Sequence, residues 1–371
     1  MVEVVARNIG FSYPGATHAT LDDLSFTVPS NNTLSLLGSS GAGKTTLLKV
    51  LSGLLPCNAG SLCFDGKEVL HLEAGERGVS QVFQFPVLFD SLSVLDNIAF
   101  PLRALGMTRR ERQRKAQAIA ELLEIDEWLH EKPTSLALFQ AQIAGFAKAL
   151  VRPDTALVLL DEPLTAVEPA LKWRLRGLLK RAQEELQVSM IYVTHDQTEA
   201  LTIADSVSVL HEGAILQTGS ARQLYNFPEH VEVARFIGSP GMNIVRGEIR
   251  GDLLRVSGMQ LPGTQLTQTM QVYERSDSVQ ALADGAVMVG FRPEWAHTTR
   301  NGAARIQDIQ IIGADDNARV GFVELDLDGQ TVHIRQSLTQ EWIARDASAE
   351  LVIERALVFR DEQLVASVGV S

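Results

Sequence analysis

Short apolar runs of strand length alternate with longer segments of helical period through roughly the first 235 residues, and that alternation predicts α/β architecture. Leu34-Ser-Leu-Leu37 reads as a buried strand that runs into a glycine-rich turn. Beyond the turn, Leu47, Val50, Leu51 and Leu54 recur at i, i+3, i+4 and i+7, the spacing of a helix with one face on a sheet. Leu157-Val-Leu-Leu160 and Met190-Ile-Tyr-Val193 have the continuous apolar character of buried parallel strands, and each ends in polar residues. In open α/β sheets ligands bind at those carboxyl ends.

Between these strands, Ser91 to Leu150 keeps a helical pattern and holds no convincing strand, so residues of about 91–150 are expected to form a helical insertion. Its basic run Arg109-Arg-Glu-Arg-Gln-Arg-Lys115 reads as a solvated helix face rather than a phosphate patch, because it contains Glu and sits among helix formers. Gly and Pro in Phe236-Ile-Gly-Ser-Pro-Gly-Met-Asn243 mark a linker. Beyond it Val323, Leu325 and Leu327 alternate with acidic residues, Asp328-Gly329 supplies a turn, and Val332 and Ile334 resume the alternation, which predicts a hairpin. Two domains are therefore expected, 1–235 and a β-rich 236–371.

Composition narrows the class. The 371 residues are 45% hydrophobic with a net charge of −12, which fits globular domains and argues against a nucleic-acid coat. Residues 241–371 hold 12 Arg and no Lys against 18 acidic residues, so this third of the chain carries half the net charge. No apolar run approaches the ~18 residues that span a bilayer, and Met1-Val-Glu-Val-Val lacks the basic-then-apolar plan of a signal peptide. Cys57 and Cys63 fit neither a zinc knuckle nor a redox pair, which points to a reducing, cytoplasmic setting.

The chemistry sits at strand ends. Gly38-Ser39-Ser40-Gly41-Ala42-Gly43-Lys44-Thr45 matches GxxxxGK[ST] after a strand and before a helix, with Thr46 following. Its glycines let the backbone close on a β-phosphate, Lys44 can reach the β- and γ-phosphates, and the Thr45 hydroxyl can ligate Mg²⁺. A ligand-free glycine turn is the bland alternative. Asp161 and Glu162 emerge from the tip of the 157–160 strand, Asp161 suited to a water-mediated Mg²⁺ contact and Glu162 to polarising an attacking water. His195, in Thr194-His195-Asp196, closes the next strand, where a γ-phosphate contact competes with a purely structural histidine.

At these residues the sequence resembles the ATPase subunits of ABC (ATP-binding cassette) importers. In that resemblance Tyr13, in Phe11-Ser-Tyr-Pro14, matches the adenine-stacking aromatic, though an exposed turn tyrosine would look the same. Gln84, in Val82-Phe-Gln84, matches the Q-loop glutamine that touches Mg²⁺ and the attacking water and marks the hinge to the insertion. His195 matches the switch histidine. Phe236–Asn243 and Gly290-Phe-Arg-Pro-Glu294 resemble segments of maltose-type ATPases for sugars, polyols and glycerol phosphate, which carry an OB-like (TOBE-type) regulatory domain. The resemblance implies an α/β P-loop cassette with helical insertion, an all-β regulatory domain, ATP and Mg²⁺, two membrane permease subunits, an external solute-binding protein, and a place on the inner face of the cell membrane.

Two departures from the family pattern bear on pairing. The signature Leu-Ser-Gly-Gly-Gln aligns with Leu136-Ala137-Leu138-Phe139-Gln140, losing the hydroxyl and both glycines, and Phe139 is expected to deny close backbone approach. The D-loop ends in Ala166-Val-Glu168 rather than in Asp. In the family each ATP lies between one subunit's phosphate loop and the other's signature loop. A homodimer would therefore hold two sites with poor signatures, so a second ATPase in a heterodimer is the favoured arrangement. A catalytically weak regulatory subunit is the alternative function. A two-cassette repair or translation protein and an exporter fit less well, given one phosphate loop and a β-rich tail.

Overall fold

The computed structural model describes residues 2–250, 253–256, 259–260, 284–314, 319–327, 329–338 and 343–369, which divide into two compact units, Met1–Ala221 and Arg222–Ser371. The first opens with β1 (Val4–Phe11), β2 (Leu21–Val28) and β3 (Thr33–Leu37), then α1 (Lys44–Ser52), β4 (Ala59–Phe64), β5 (Lys67–Glu68) and β6 (Val79–Val82). Helices α2 (Val94–Ala99), α3 (Arg109–Leu122) and α4 (Leu138–Leu150) follow with no intervening strand, as the helical pattern predicts. β7 (Leu157–Asp161), α5 (Pro169–Leu186), β8 (Ser189–Thr194), α6 (Gln197–Ile203), β9 (Ser206–His211) and β10 (Ala214–Gly219) complete it.

The central sheet has the order β10-β9-β3-β8-β7-β6, parallel except for the β10–β9 pair. Alternation along its strands divides the core. Leu157, Leu159, Ile191 and Val193 pack with α1 and the antiparallel sheet β2-β1-β4-β5, whereas Val158, Leu160, Met190 and Tyr192 pack with α2 to α5. Register brings Leu37 opposite Thr194 and Asp161 opposite Val193, so β3, β7 and β8 end at one edge of the sheet. One expectation fails here. Helix α1 stops at Ser52 because Gly53 turns into the left-handed region, and Leu54 is left 57% exposed rather than on the apolar face.

The second unit follows α7 (Ala221–Asn226), which straddles the division, and contains α8 (Val231–Phe236), β11 (Asn243–Arg250), β12 (Leu253–Val256), β13 (Met259–Gln260), β14 (Gly285–Phe291), β15 (Ala296–Ala314), β16 (Arg319–Leu327), β17 (Gln330–Ser337), β18 (Ser348–Ile353), β19 (Arg355–Arg360) and β20 (Gln363–Gly369). Antiparallel sheets β13-β12-β11-β14-β19-β20 and β17-β16-β15-β18 share one apolar core, an OB-like all-β arrangement. Leu327 pairs with Gln330, closing the expected hairpin; Asp328 itself lies outside the described residues. The sequence boundary at 235/236 falls inside the last turn of α8, between Arg235 and Phe236, while the compact units part at 221/222. The reason is packing: Val231 and Ala234 of α8 share a cluster with Leu357 and Phe359, and Val231 N–H bonds to Glu362 O.

Candidate nucleotide site

The turn between β3 and α1 is shaped by two glycines. A Cβ on Gly38 would stand 2.4 Å from the Leu210 carbonyl oxygen. Gly43 caps α1 at φ 101°, and a Cβ there would meet the Thr20 carbonyl oxygen at 2.8 Å. Because Gly43 supplies no side-chain cap, the first N–H groups of α1 keep their donors for a ligand. The loop thus fits a polyphosphate.

Lys44 is buried and folds back on its own loop, donating to Gly38 O and Ser39 O at 2.8 Å each. Burial pulls its pKa down, while Glu162 and Asp161 act in the opposite sense. Thr45 stands near enough to the Asp161 carboxylate to favour its ionised form. Thr46 Oγ1 lies 3.2 Å from the Tyr13 hydroxyl, and the Tyr13 ring stands edge-on to Phe11, partly open to solvent.

Burial first, and Glu162 second, push the Asp161 carboxyl up from the usual aspartate range; Thr45 and Lys44 pull the other way. The folded pKa therefore lies above the unfolded one. This contribution to stability is present in full below the unfolded pKa and is lost as pH rises through the folded value. Ionised Asp161 is a cost to the nucleotide-free fold at neutral pH, and a bound cation would reverse it. Asp161→Asn is therefore expected to raise the thermal midpoint of the nucleotide-free protein at pH 7, with the gain shrinking as pH falls toward about 4. Calorimetry at both pH values checks this; a lowered midpoint at pH 7 would contradict it.

Glu162 follows with φ 46°, a left-handed conformation rare for a glutamate, and its N–H bonds to Val193 O at 2.9 Å. That geometry turns its carboxylate to His195, with Oε2 3.1 Å from Nδ1, and Thr165 Oγ1 donates to the same oxygen at 3.2 Å. The two side chains form an ion pair only when both imidazole nitrogens carry protons.

Behind His195 lies a network the motifs do not show. Buried Glu199 takes Lys172 Nζ at 2.8 Å on Oε1, and the Tyr192 hydroxyl at 2.9 Å and Thr194 Oγ1 at 3.0 Å on Oε2. Asp196 caps α6 through the N–H groups of Thr198 and Glu199, while its own N–H bonds to Thr194 Oγ1. Burial first, and Glu199 next, hold Tyr192 well above the usual tyrosine range. The only sequence trace of this network is a polar residue four places after His195 and a tyrosine inside an apolar strand.

The remaining predicted residues stand apart. Gln84 lies two residues past β6 and forms no hydrogen bond with Asp161 or Glu162 among the described residues. Ala137 is the N-cap of α4; Gln140 Oε1 accepts the Ala137 N–H at 2.8 Å, but alanine cannot return a bond. Phe139 does not block the loop surface as its bulk predicts. Its ring packs onto the chain's own core, with the Arg174 guanidinium 5.9 Å from the ring centroid. The protruding side chain is Leu138, 44% exposed. Exposed Glu168 is the N-cap residue of α5.

A family model described as "ABC transporter" matches residues 21–165. The sn-glycerol-3-phosphate import ATP-binding protein UgpC of Psychromonas ingrahamii is 35% identical over 318 residues, 85% of this chain and 81% of that protein. The diacetylchitobiose uptake system ATP-binding protein MsiK of Streptomyces coelicolor is 34% identical over 285 residues, 76% of this chain and 72% of its own. The lactose transport ATP-binding protein LacK of Rhizobium radiobacter is 35% identical over 299 residues, 79% of each chain. Among solved structures cbiO1 from Clostridium perfringens, part of the ABC transporter complex cbiONQ, shares the fold, with a TM-score of 0.54 and 23% identity over 58% of this chain and 88% of that one. With its phosphate loop, its paired strand-tip carboxylates and relatives of this extent, the chain belongs to the ATP-binding ATPase subunits of ABC importers.

Proposed function

We propose that the chain hydrolyses ATP to drive uptake of a small polar solute, a sugar, a polyol or a glycerol phosphate. The observation that carries this reading is the Glu162–His195 contact at the sheet edge shared with the phosphate loop. Gly38 to Thr46 would hold the phosphates, and Tyr13 the adenine. Mg²⁺, when bound, would neutralise phosphate charge; Thr45 and Asp161 are hard oxygen ligands suited to it, with Gln84 nearby in sequence from β6. Glu162 orients water and accepts its proton, His195 fixes the rotamer of Glu162, and Lys44 leaves its own loop carbonyls to stabilise the transferring phosphoryl group. An intact Glu162–His195 pair favours hydrolysis over a purely regulatory role.

Coupling to two permease subunits is supported by a cavity of about 230 Å³ lined by Gln81, Phe83, Pro86, Val87, Gly145 and Lys148, with Phe85 62% exposed beside it. No helix among the described residues is long and apolar enough to cross a membrane, which fits a peripheral place on the inner face beside such permeases. An external solute-binding protein would deliver the cargo, and residues 236–371 would serve regulation. The solute class is supported by relatives named for glycerol phosphate, diacetylchitobiose and lactose.

Ala137 and Leu138 in place of serine and glycine support a heterodimer, in which a second ATPase offers its intact signature loop to Lys44 of this chain. Affinity purification of the tagged chain from its native host tests the pairing. A second ATPase in stoichiometric amount is expected. A fully active transporter containing this ATPase alone would refute the heterodimer.

A further inference from the structure

On sequence the run Arg109 to Lys115 is a solvated helix face, but its first turn breaks a local rule. Arg109, Arg110 and Arg112 stand at the end of α3 where the macrodipole is positive and acidic residues are favoured. Thr108 and Glu111 close a full capping box, so the helix N–H groups there need no anion. The arginines require another reason.

The structure brings a further cation to two of them. Arg103, from the short 3-10 turn Phe100–Leu105 that precedes α3, joins Arg109 and Arg112 around a cavity of about 220 Å³ that Asp96, Ala99 and Gln113 complete. Arg112 Nε is buried there with no hydrogen-bond partner among the described residues. Asp96 accepts from Gln113 at 3.5 Å and forms no ion pair with any of the three guanidinium groups among the described residues. Three guanidinium groups against one carboxylate leave a local excess of two positive charges in a chain of net charge −12. An orphaned donor in a polar cavity is a cost unless something accepts from it.

We propose that this cavity binds a phosphoryl group. A phosphate dianion matches the local charge, and its oxygens can take the forked donors of several arginines at once, which a single carboxylate cannot. The phosphoryl group can come from a soluble phosphate ester or from an anionic lipid headgroup, and the same donors serve both. The site is separate from the phosphate loop and does not depend on the transport reading.

The test uses the full chain with its nucleotide site saturated by ADP and Mg²⁺, so that the phosphate loop is silent. Inorganic phosphate and sn-glycerol 3-phosphate are titrated calorimetrically, and vesicles of phosphatidylglycerol and phosphatidylcholine are tested by co-sedimentation. Arg112→Gln is expected to weaken binding at least about tenfold. Arg112→Lys, which keeps the charge and loses the fork, should recover part of it. Arg110→Gln, on the same turn but outside the cavity, should change it less than about twofold. Arg112-dependent binding of the soluble probes assigns a phosphate ester; Arg112-dependent sedimentation with vesicles alone assigns a headgroup. Binding of neither probe, or equal loss in Arg110→Gln and Arg112→Gln, overturns the site. Preference for succinate over phosphate would also overturn it, and would indicate a carboxylate of a protein partner.

Discussion

Replacing Glu162 with glutamine should lower ATP turnover by about 10²- to 10⁴-fold, the usual contribution of a positioned general base. The substitution is nearly isosteric, and the amide oxygen of the new side chain can still accept from Thr165 Oγ1 beside His195, so the local geometry is kept. What disappears is the ability to take a proton from water. Nucleotide binding rests on the phosphate loop and should stay close to wild type, so the loss is expected in kcat and not in the dissociation constant for ATP. Steady-state phosphate release together with equilibrium nucleotide binding separates the two. Turnover within about twofold of wild type would remove Glu162 from the chemical step and favour the regulatory reading.

The second large effect is on stability. Arg292 is fully buried between the start of the second unit and its sheets. Nε and Nη2 donate to Tyr225 O at 3.1 and 2.8 Å, and Nη1 donates to Ala234 O at 3.2 Å and to Ile237 O. The guanidinium stacks 4.2 Å from the centroid of the Tyr225 ring, whose hydroxyl donates to Glu294 at 2.6 Å. Burial pulls its pKa down to about 10, which still leaves it charged at pH 7. Arg292→Ala would strand the three carbonyls at roughly 1–3 kcal/mol each and leave a void, for a total loss of at least about 3 kcal/mol. Arg292→Lys should recover little, since an ammonium cannot reproduce the planar fork. Urea denaturation of the full chain, followed by the circular dichroism of the β-rich unit, measures this. An unchanged midpoint would mean the clamp is redundant.

The phosphate loop, Asp161, Glu162 and His195 were legible because a strand-turn-helix and two strand tips have local signatures, and parallel register then carries them to one edge. The clamp on α7 and α8 was not. Arg292 reaches carbonyls 55 to 67 residues earlier in the chain, and no local pattern encodes that distance. Glu199 escaped notice for a related reason, since its partners Lys172 and Tyr192 sit on different elements and Tyr192 reads as one more apolar strand residue. Phe139 packs inward rather than over the loop because the helix start at Ala137 turns Leu138 outward and the next side chain inward, a rotation that composition does not set. Leu54 shows the same limit at the other end of a helix, where one glycine ended the periodicity early. The cavity of Arg103, Arg109 and Arg112 needed the fold to bring a preceding turn against α3.

The most direct measurement is ATP-dependent solute uptake by vesicles reconstituted with the complete transporter, comparing wild type with Lys44→Ala. Lys44 is the cation inside the phosphate loop, held by Gly38 and Ser39 and facing the field of Asp161 and Glu162. Uptake is expected to fall to the level seen without ATP. Uptake by the Lys44→Ala transporter at the wild-type rate would contradict the account at its root.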